Sequence, residues 1–364
     1  MPGHDQLSER QQHILWATVR RYVATAEPVG SKALADEYDF QVSSATIRNT
    51  MGRLEKVGLL YQPHTSAGRV PSDSGYRVYV DQLITLNDLS GQHLRALYQQ
   101  KLDWQTYHLE QILQRAAQIL ATLSGYIALI TLPHNTNQTI QHLQVLPIND
   151  TQGMLIIVTD AYQTQSVLLD LETLLGLEAI ADDDDWAIED ELQILSNFLN
   201  QKLRGQALAT LQQVNWQELG EEFRRYSNLV QQVLTEVLRR CQTPTVMPIL
   251  IHGFAEALRQ PEFSEVQQIQ ALLHLLEKEQ EQLFPLMFTA PAPTPQRVTV
   301  RIGSENSLEP LNSCTLISAQ YSHGTTPVGS VGLIGPTRML YENAIALVES
   351  TAQYLTDSLT NGLA

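Results

Sequence analysis

Apolar residues in the first 85 positions fall into short helical patterns separated by turn residues. Ile14, Leu15, Thr18, Val19 and Tyr22 form one stripe. Ser8 precedes it, and its hydroxyl can cap a helix while Gln11 returns the bond. Pro28 and Gly30 end that pattern. Ser31 is the predicted cap of a second, short helix through Tyr38, with Leu34 facing inward. Ser43 or Ser44 caps a third helix reaching Val57, and Gly58 stands where a left-handed C-cap is wanted. Leu59–Gln62 and Arg69–Val70 read as two strands around the turn Pro63–Gly68, followed by a helix from about Ser72 that carries Tyr76, Val80 and Leu83.

Further along, residues 92–123 form one long amphipathic pattern running from Leu94 through Ile112 and Leu120 to Leu123. It predicts a single helix, packing on a core or connecting domains and supporting a dimer. Strand-like runs follow at Tyr126–Leu132, His142–Ile148, Met154–Thr159 and Gln165–Leu171. Helical patterns then occupy about 186–200, 202–213, 217–241, 247–260 and 264–288, before the Pro-rich turn Pro291–Pro295. Short β runs at Val298–Ile302, Cys314–Tyr321 and Val328–Ile334 lead to a final helix over about Arg338–Leu359. Strands with flanking helices, interrupted by a helical block, predict an α+β domain carrying an insertion.

Short helices followed by a small hairpin are the layout of a winged helix-turn-helix, which lays one helix in the major groove of duplex DNA. On the third helix, at 100° per residue, Ile47, Met51 and Leu54 share one sector and must face the core. The opposite side presents Ala45, Asn49, Gly52, Arg53 and Lys56, with Thr46 and Arg48 on the flanks. Asn49 can pair with adenine and Arg53 with guanine, each through two hydrogen bonds. Arg48, Thr46 and Ser44 are placed for phosphates, which fix register without reading sequence. Ser31 and Lys32 at the start of the second helix offer a phosphate site. The hairpin tip, with His64, Thr65, Ser66 and Arg69, can follow the backbone or put Arg69 into a narrow minor groove.

Charge sharpens this picture. The 364 residues carry a formal −16, yet residues 1–83 hold nine Lys/Arg and nine Asp/Glu. Within 43–77, Arg48, Arg53, Lys56, Arg69 and Arg77 face only Glu55 and Asp73, a local +3. A basic patch on an acidic body predicts one face for phosphates and little affinity elsewhere. Cys241 and Cys314 form no disulfide framework and have no metal-ligand spacing, so buried, unreactive thiols are expected. The polar N-terminus and the absence of a long apolar run predict a soluble cytoplasmic protein.

Six segments resemble the HrcA family of heat-inducible transcription repressors of bacteria: PVGSKALA (28–35), SSATIRNTM (43–51), PHTSAGRVP (63–71), GYRVYVDQL (75–83), RIGSEN (301–306) and GLIGPTRMLYENAIALVE (332–349). Two departures stand on or near the outward face of the third helix. Thr50 replaces a residue that is commonly acidic in the family, and Gly52 a usual Ala. The resemblance implies a winged helix over 1–89, a GAF-like domain in two segments over 90–140 and 245–364, and an inserted dimerisation domain over 141–244. It further implies a homodimer on an inverted-repeat operator of double-stranded DNA upstream of chaperone operons, with chaperonin as a partner limiting its activity, and no membrane.

Two other functional classes compete with a repressor. An effector-gated regulator would hold a small molecule in the GAF-like domain, but the sequence shows no clustered Cys/His and no convergent charges. An enzyme would need reactive groups, and no Ser/His/Asp or His-Glu-x-x-His arrangement is visible. Gly329–Pro336 has glycines spaced faintly like a phosphate loop but lacks its Lys-Ser/Thr, so a strand end with a bulge is expected. Arg338 beside it suits packing or a salt bridge. Glu256, Glu262 and Glu265 read as ordinary surface carboxylates. The consecutive carboxylates of Asp182–Asp185 cannot all face one ion, which argues against calcium. The sequence thus predicts no cofactor, no metal and no catalysis.

Overall fold

The computed structural model describes residues 7–64, 67–85, 89–102, 109–133, 139–149, 151–159, 164–170, 185–206, 248–264, 266–288 and 298–362. It is a mixed helix and sheet structure in two compact units. One comprises Met1–Pro133 with Met247–Ala364, the other His134–Val246. The predicted helix at 217–241, Cys241, the Pro-rich turn, Glu265 and most of the acidic run lie outside the described residues, as does the predicted helix at 202–213 from residue 207 on; its described start, 202–206, instead ends the preceding helix at Leu203.

The first unit opens with α1 (Glu9–Thr25), α2 (Ser31–Glu37) and α3 (Ser44–Lys56). The capping box between Ser8 and Gln11 starts α1, and Ala26 ends it in the left-handed region. The cap of α2 is Gly30, not Ser31. Ser31 lies inside the first turn, where its hydroxyl meets that of Ser44 at 3.1 Å. An antiparallel ribbon, β1 (Leu60–Tyr61) and β2 (Val70–Pro71), follows α3. Then α4 (Asp73–Val78) passes into a π-turn at Tyr79–Leu83.

The amphipathic stretch 92–123 is two helices rather than one, α5 (Leu89–Lys101) and α6 (Leu109–Ser124). The Tyr98 hydroxyl donates to the carbonyl of Ala116 at 3.1 Å. One straight helix would hold those residues about 27 Å apart. Both helices carry the same apolar periodicity, so the pattern alone did not reveal the break.

The body of this unit is a five-stranded antiparallel sheet in the order β7-β3-β10-β9-β8. Its strands are β3 (Ile127–Thr131), β7 (Ile249–His252), β8 (Val298–Ile302), β9 (Cys314–His323) and β10 (Thr326–Pro336). Every residue of β3 is buried because both faces are covered. Ala128 and Ile130 pack with α5, α6 and the C-terminal helix, while Ile127 and Leu129 pack with the apolar side of 266–287. The predicted helix over 247–260 is instead β7 followed by one helical turn, α8 (Phe254–Ala257), a correction imposed by pairing with β3. The pattern over 264–288 divides at Glu279 into α9 (Val266–Lys278) and α10 (Gln280–Met287). Gly329–Pro336 lies within β10, beside a bulge between Pro327 and Gly329. The final helix, α11, spans Tyr341–Gly362. Cys314 is buried, and burial pushes its thiol up to about 11.

The second unit is a meander of β4 (Ile140–Pro147), β5 (Gln152–Thr159) and β6 (Thr164–Asp170) with α7 (Asp185–Leu203). Asn200 and Ser196 of α7 accept from the backbone N–H groups of Leu143 and Val145, both at 2.9 Å. The helix thereby satisfies an edge strand that would otherwise present unpaired groups.

Candidate nucleic-acid interface

Helix α3 is held by its inner side. Ser43 accepts from the Thr46 N–H at 3.3 Å, which fixes the first turn. Ile47, Met51 and Leu54 are 0%, 3% and 0% exposed, which anchors the rotation of the helix about its axis. Thr50 also faces inward, at 8% exposed, with its hydroxyl donating to the Thr46 carbonyl at 3.0 Å. Its expected place on the outward face is therefore corrected. At 300° from Ile47 it lies beside the apolar sector rather than opposite it.

The outer side carries Ala45, Arg48, Asn49, Arg53 and Lys56, all exposed. A Cβ built on Gly52 meets no atom within 4 Å, so the middle of this face is open. Lys32, Arg48, Arg53 and Lys56 have no carboxylate partner among the described residues. Ser44 and Thr46 are half-buried at the helix start, and the Ser31–Ser44 contact brings the N-termini of α2 and α3 together. Lys32 stands exposed on the first turn of α2. His64 is exposed at the ribbon tip, while Thr65 and Ser66 lie outside the described residues.

Arg69 is engaged differently. Its Nε donates to Glu55 Oε2 at 3.0 Å, and Nη2 lies 2.9 Å from the same oxygen. Its backbone exchanges two bonds with Val29, at 2.9 and 2.8 Å. Gly68 allows this approach, since a Cβ there would run into the Val29 carbonyl group. Arg69 thus ties the ribbon both to α3 and to the lead-in of α2. Glu55 escaped the sequence reading because only its unfavourable charge was counted. Its position 14 residues before an arginine, across a predicted hairpin, was the available signal. Arg77, the fifth cation of the +3 cluster, is likewise paired, with Glu305 and Asp81. Among the described residues of the 43–77 cluster, the cations without a carboxylate partner are therefore those of α3, Arg48, Arg53 and Lys56.

A family model described as the HrcA protein C-terminal domain matches residues 110–345. The chain is 54% identical, over 98% of its own length and 98% of the relative, to the heat-inducible transcription repressor HrcA of Nostoc punctiforme. It belongs to the HrcA family. The heat-inducible transcription repressor HrcA of Nodularia spumigena is also 54% identical to this HrcA-family chain, over 98% of this chain and 99% of that one. A crystal structure of a hypothetical protein at 2.2 Å shares the fold with a TM-score of 0.58. That match covers 99% of this chain and 100% of that chain at 23% identity. The HrcA family is one of transcription repressors, not of enzymes.

Other candidate chemistry resolves into structure. Arg338 and Glu262 form an ion pair, so Glu262 is no ordinary surface carboxylate. Among the described residues, no group of three His, Cys, Asp or Glu could hold a metal, and no helix is long and apolar enough to cross a membrane. A groove of about 480 Å³ runs along α5 and α6, lined by Leu97, Lys101, Arg115, Ile119 and Leu123 among others.

Proposed function

We propose that this chain is a cytoplasmic, homodimeric repressor whose residues 1–89 act as a winged helix-turn-helix on an inverted-repeat operator. The observation that carries the reading is the outer face of α3. Arg48, Asn49, Arg53 and Lys56 are exposed together, opposite a fully buried seam. A helix so presented fits the major groove, with Asn49 and Arg53 on base edges and Arg48, Lys56, Ser44 and Thr46 at phosphates. Lys32 and Ser31 hold a further phosphate, and His64, Thr65 and Ser66 follow the backbone from the ribbon tip. Arg69 supports that ribbon from its base.

In this reading, residues 90–140 and 245–364 form a GAF-like domain, and 141–244 an inserted dimerisation domain. The open side of the three-stranded sheet supports the latter assignment. There Leu146 and Leu168, 38% and 62% exposed, flank Met154 in one cross-strand row. Dimerisation doubles the phosphate contacts and aligns two recognition helices on one side of the duplex, so loss of the dimer removes most of the affinity. The regulated genes are chaperone operons, and free chaperonin sustains the active dimer. A marginally stable repressor needs only ~1–2 kcal/mol of destabilisation to lose much of its active form on heating.

Footprinting of the purified chain on genomic promoter fragments, with and without chaperonin, tests this reading. Protection of an inverted repeat, strengthened by chaperonin and lost on mild heating, is expected. Protection indifferent to both treatments removes the thermal control, and no protected repeat removes the repressor reading. The groove along α5 and α6 supplies a place for the effector-gated alternative. A metabolite that raises the melting temperature while shifting operator affinity would favour it.

A further inference from the structure

We infer that three segments far apart in sequence form a joint that sets the tilt of α3, making Asp73, Arg77, Ser304 and Glu305 positioning residues for operator binding. This rests on the reading of a dimer on an inverted repeat. The segments coincide with motifs that α3 leaves unexplained: GYRVYVDQL, RIGSEN and the start of the final helix.

At the joint, Asp73 Oδ2 accepts from both the N–H and the hydroxyl of Ser304, each at 2.9 Å. Gly303, at φ +51°, is required there, because a Cβ would collide with the Asp73 carboxylate. Arg77 Nε donates to Glu305 Oε1 at 2.8 Å while Nη2 engages Oε2, a two-pronged pair between residues 228 positions apart. The same Nη2 reaches the Val300 carbonyl at 2.6 Å, and Nη1 meets Asp81 at 3.1 Å. A guanidinium fork gripping both oxygens fixes a plane as well as a distance. Around this pair, Tyr76 and Tyr79 pack on the Tyr341 ring, and the Tyr79 hydroxyl donates to Glu342 at 2.5 Å. Arg338, paired with Glu262, donates to the carbonyl of Val23 in α1 at 2.6 Å.

The joint is coupled to α3 by a short, stiff path. Ser72, the cap of α4, donates through its hydroxyl to the Gly58 carbonyl at 2.6 Å and through its N–H to Leu59 at 3.1 Å. Gly75 of α4 lies so close to Leu59 that a Cβ would strike its carbonyl oxygen. Any rotation of α4 on the sheet therefore carries the end of α3 with it. Two recognition helices must sit one helical turn of DNA apart, about 34–36 Å, or a multiple of it. A head fixed at this joint enforces one half-site spacing, and a loosened head accepts several.

The test uses the full chain and duplexes carrying its footprinted repeat, with the spacer changed by one, two and five base pairs, and an isolated half-site. For wild type, a two-base-pair change should weaken binding about tenfold or more. Arg77→Ala and Glu305→Gln should leave half-site affinity unchanged and flatten the spacer profile to within about threefold. Glu305→Gln keeps an acceptor for the Ile302 N–H, so it reports on the joint even if Arg77→Ala fails to fold. A wild-type spacer profile in Glu305→Gln, or an equal loss on half-site and full site, overturns the inference. A wild-type chain with no preference for two half-sites over one overturns the dimer reading itself, and the inference with it.

Discussion

Arg53 on α3 and Arg338 at the foot of the C-terminal helix carry the same side chain in opposite settings. Arg53 is exposed on a helix face with no carboxylate partner among the described residues, whereas the Arg338 side chain is 11% exposed, paired with Glu262 and bonded to a backbone carbonyl. The first keeps its full charge and five donors for a ligand in solution. The second has its charge neutralised and its donors aimed by neighbours, so it transmits position instead of attracting anions. Arg48 belongs with the first, and Arg77 and Arg69 with the second. Counting cations along a segment merges these two classes, which is why the +3 cluster looked more uniform than it is.

Four experiments break or sharpen that contrast. Arg53→Ala should remove about 1–3 kcal/mol of discrimination at one base pair of each half-site while changing unfolding free energy by less than about 0.5 kcal/mol. Competition between cognate and single-mismatch duplexes reads the first value, and urea unfolding the second. A stability loss comparable to the binding loss would erase the distinction. Arg338→Ala should do the reverse, costing about 1–2 kcal/mol of stability because it strands Glu262 and the Val23 carbonyl. Its salt dependence of DNA binding should stay unchanged.

The third experiment compares Arg48→Ala with Arg69→Ala. Removing a phosphate contact lowers the slope of log affinity against log salt by about 1, so Arg48→Ala should weaken all duplexes alike and show that change. Arg69→Ala should leave the slope near its wild-type value, because Glu55 already balances that charge. Equal slope changes would move Arg69 onto the DNA. The smallest effect concerns acid. Burial by itself would raise the Glu305 carboxyl, but hydrogen bonds from Arg77 and the Ile302 N–H, with the Arg77 charge, hold it below the ordinary range. Its contribution to stability is thus complete above the usual glutamate value of about 4.3 and is lost as pH falls through the lower folded value. Being part-exposed, the pair contributes under about 1 kcal/mol. The stability difference between wild type and Glu305→Gln should shrink towards zero on acidification. A difference that grows instead would contradict the sign.

Legibility followed the range of the interactions. The Ser8–Gln11 capping box, the Ile47–Met51–Leu54 seam and the Gly58 turn depend on neighbours within one or two helical turns, and each appears where the pattern placed it. The break between α5 and α6 was hidden because both sides of it share one periodicity. The strand Ile249–His252 was hidden because a short apolar run fits a helix or an edge strand equally, and its pairing with β3 decided the matter. Thr50 shows the same limit at one residue, since a short hydroxyl side chain suits either side of a helix until packing chooses.

The amino-acid order by itself determined the outward chemistry of α3, since helical periodicity alone sorts Asn49 and Arg53 away from Ile47 and Leu54. It also carried family membership, in motifs spread from residue 28 to residue 349. Only the tertiary structure decided which cations are free. That choice depends on Glu55 meeting Arg69, Glu305 meeting Arg77 and Glu262 meeting Arg338, contacts between segments that no local periodicity relates. Coulombic and hydrogen-bonding partners act over a few ångströms of space, whatever their separation along the chain.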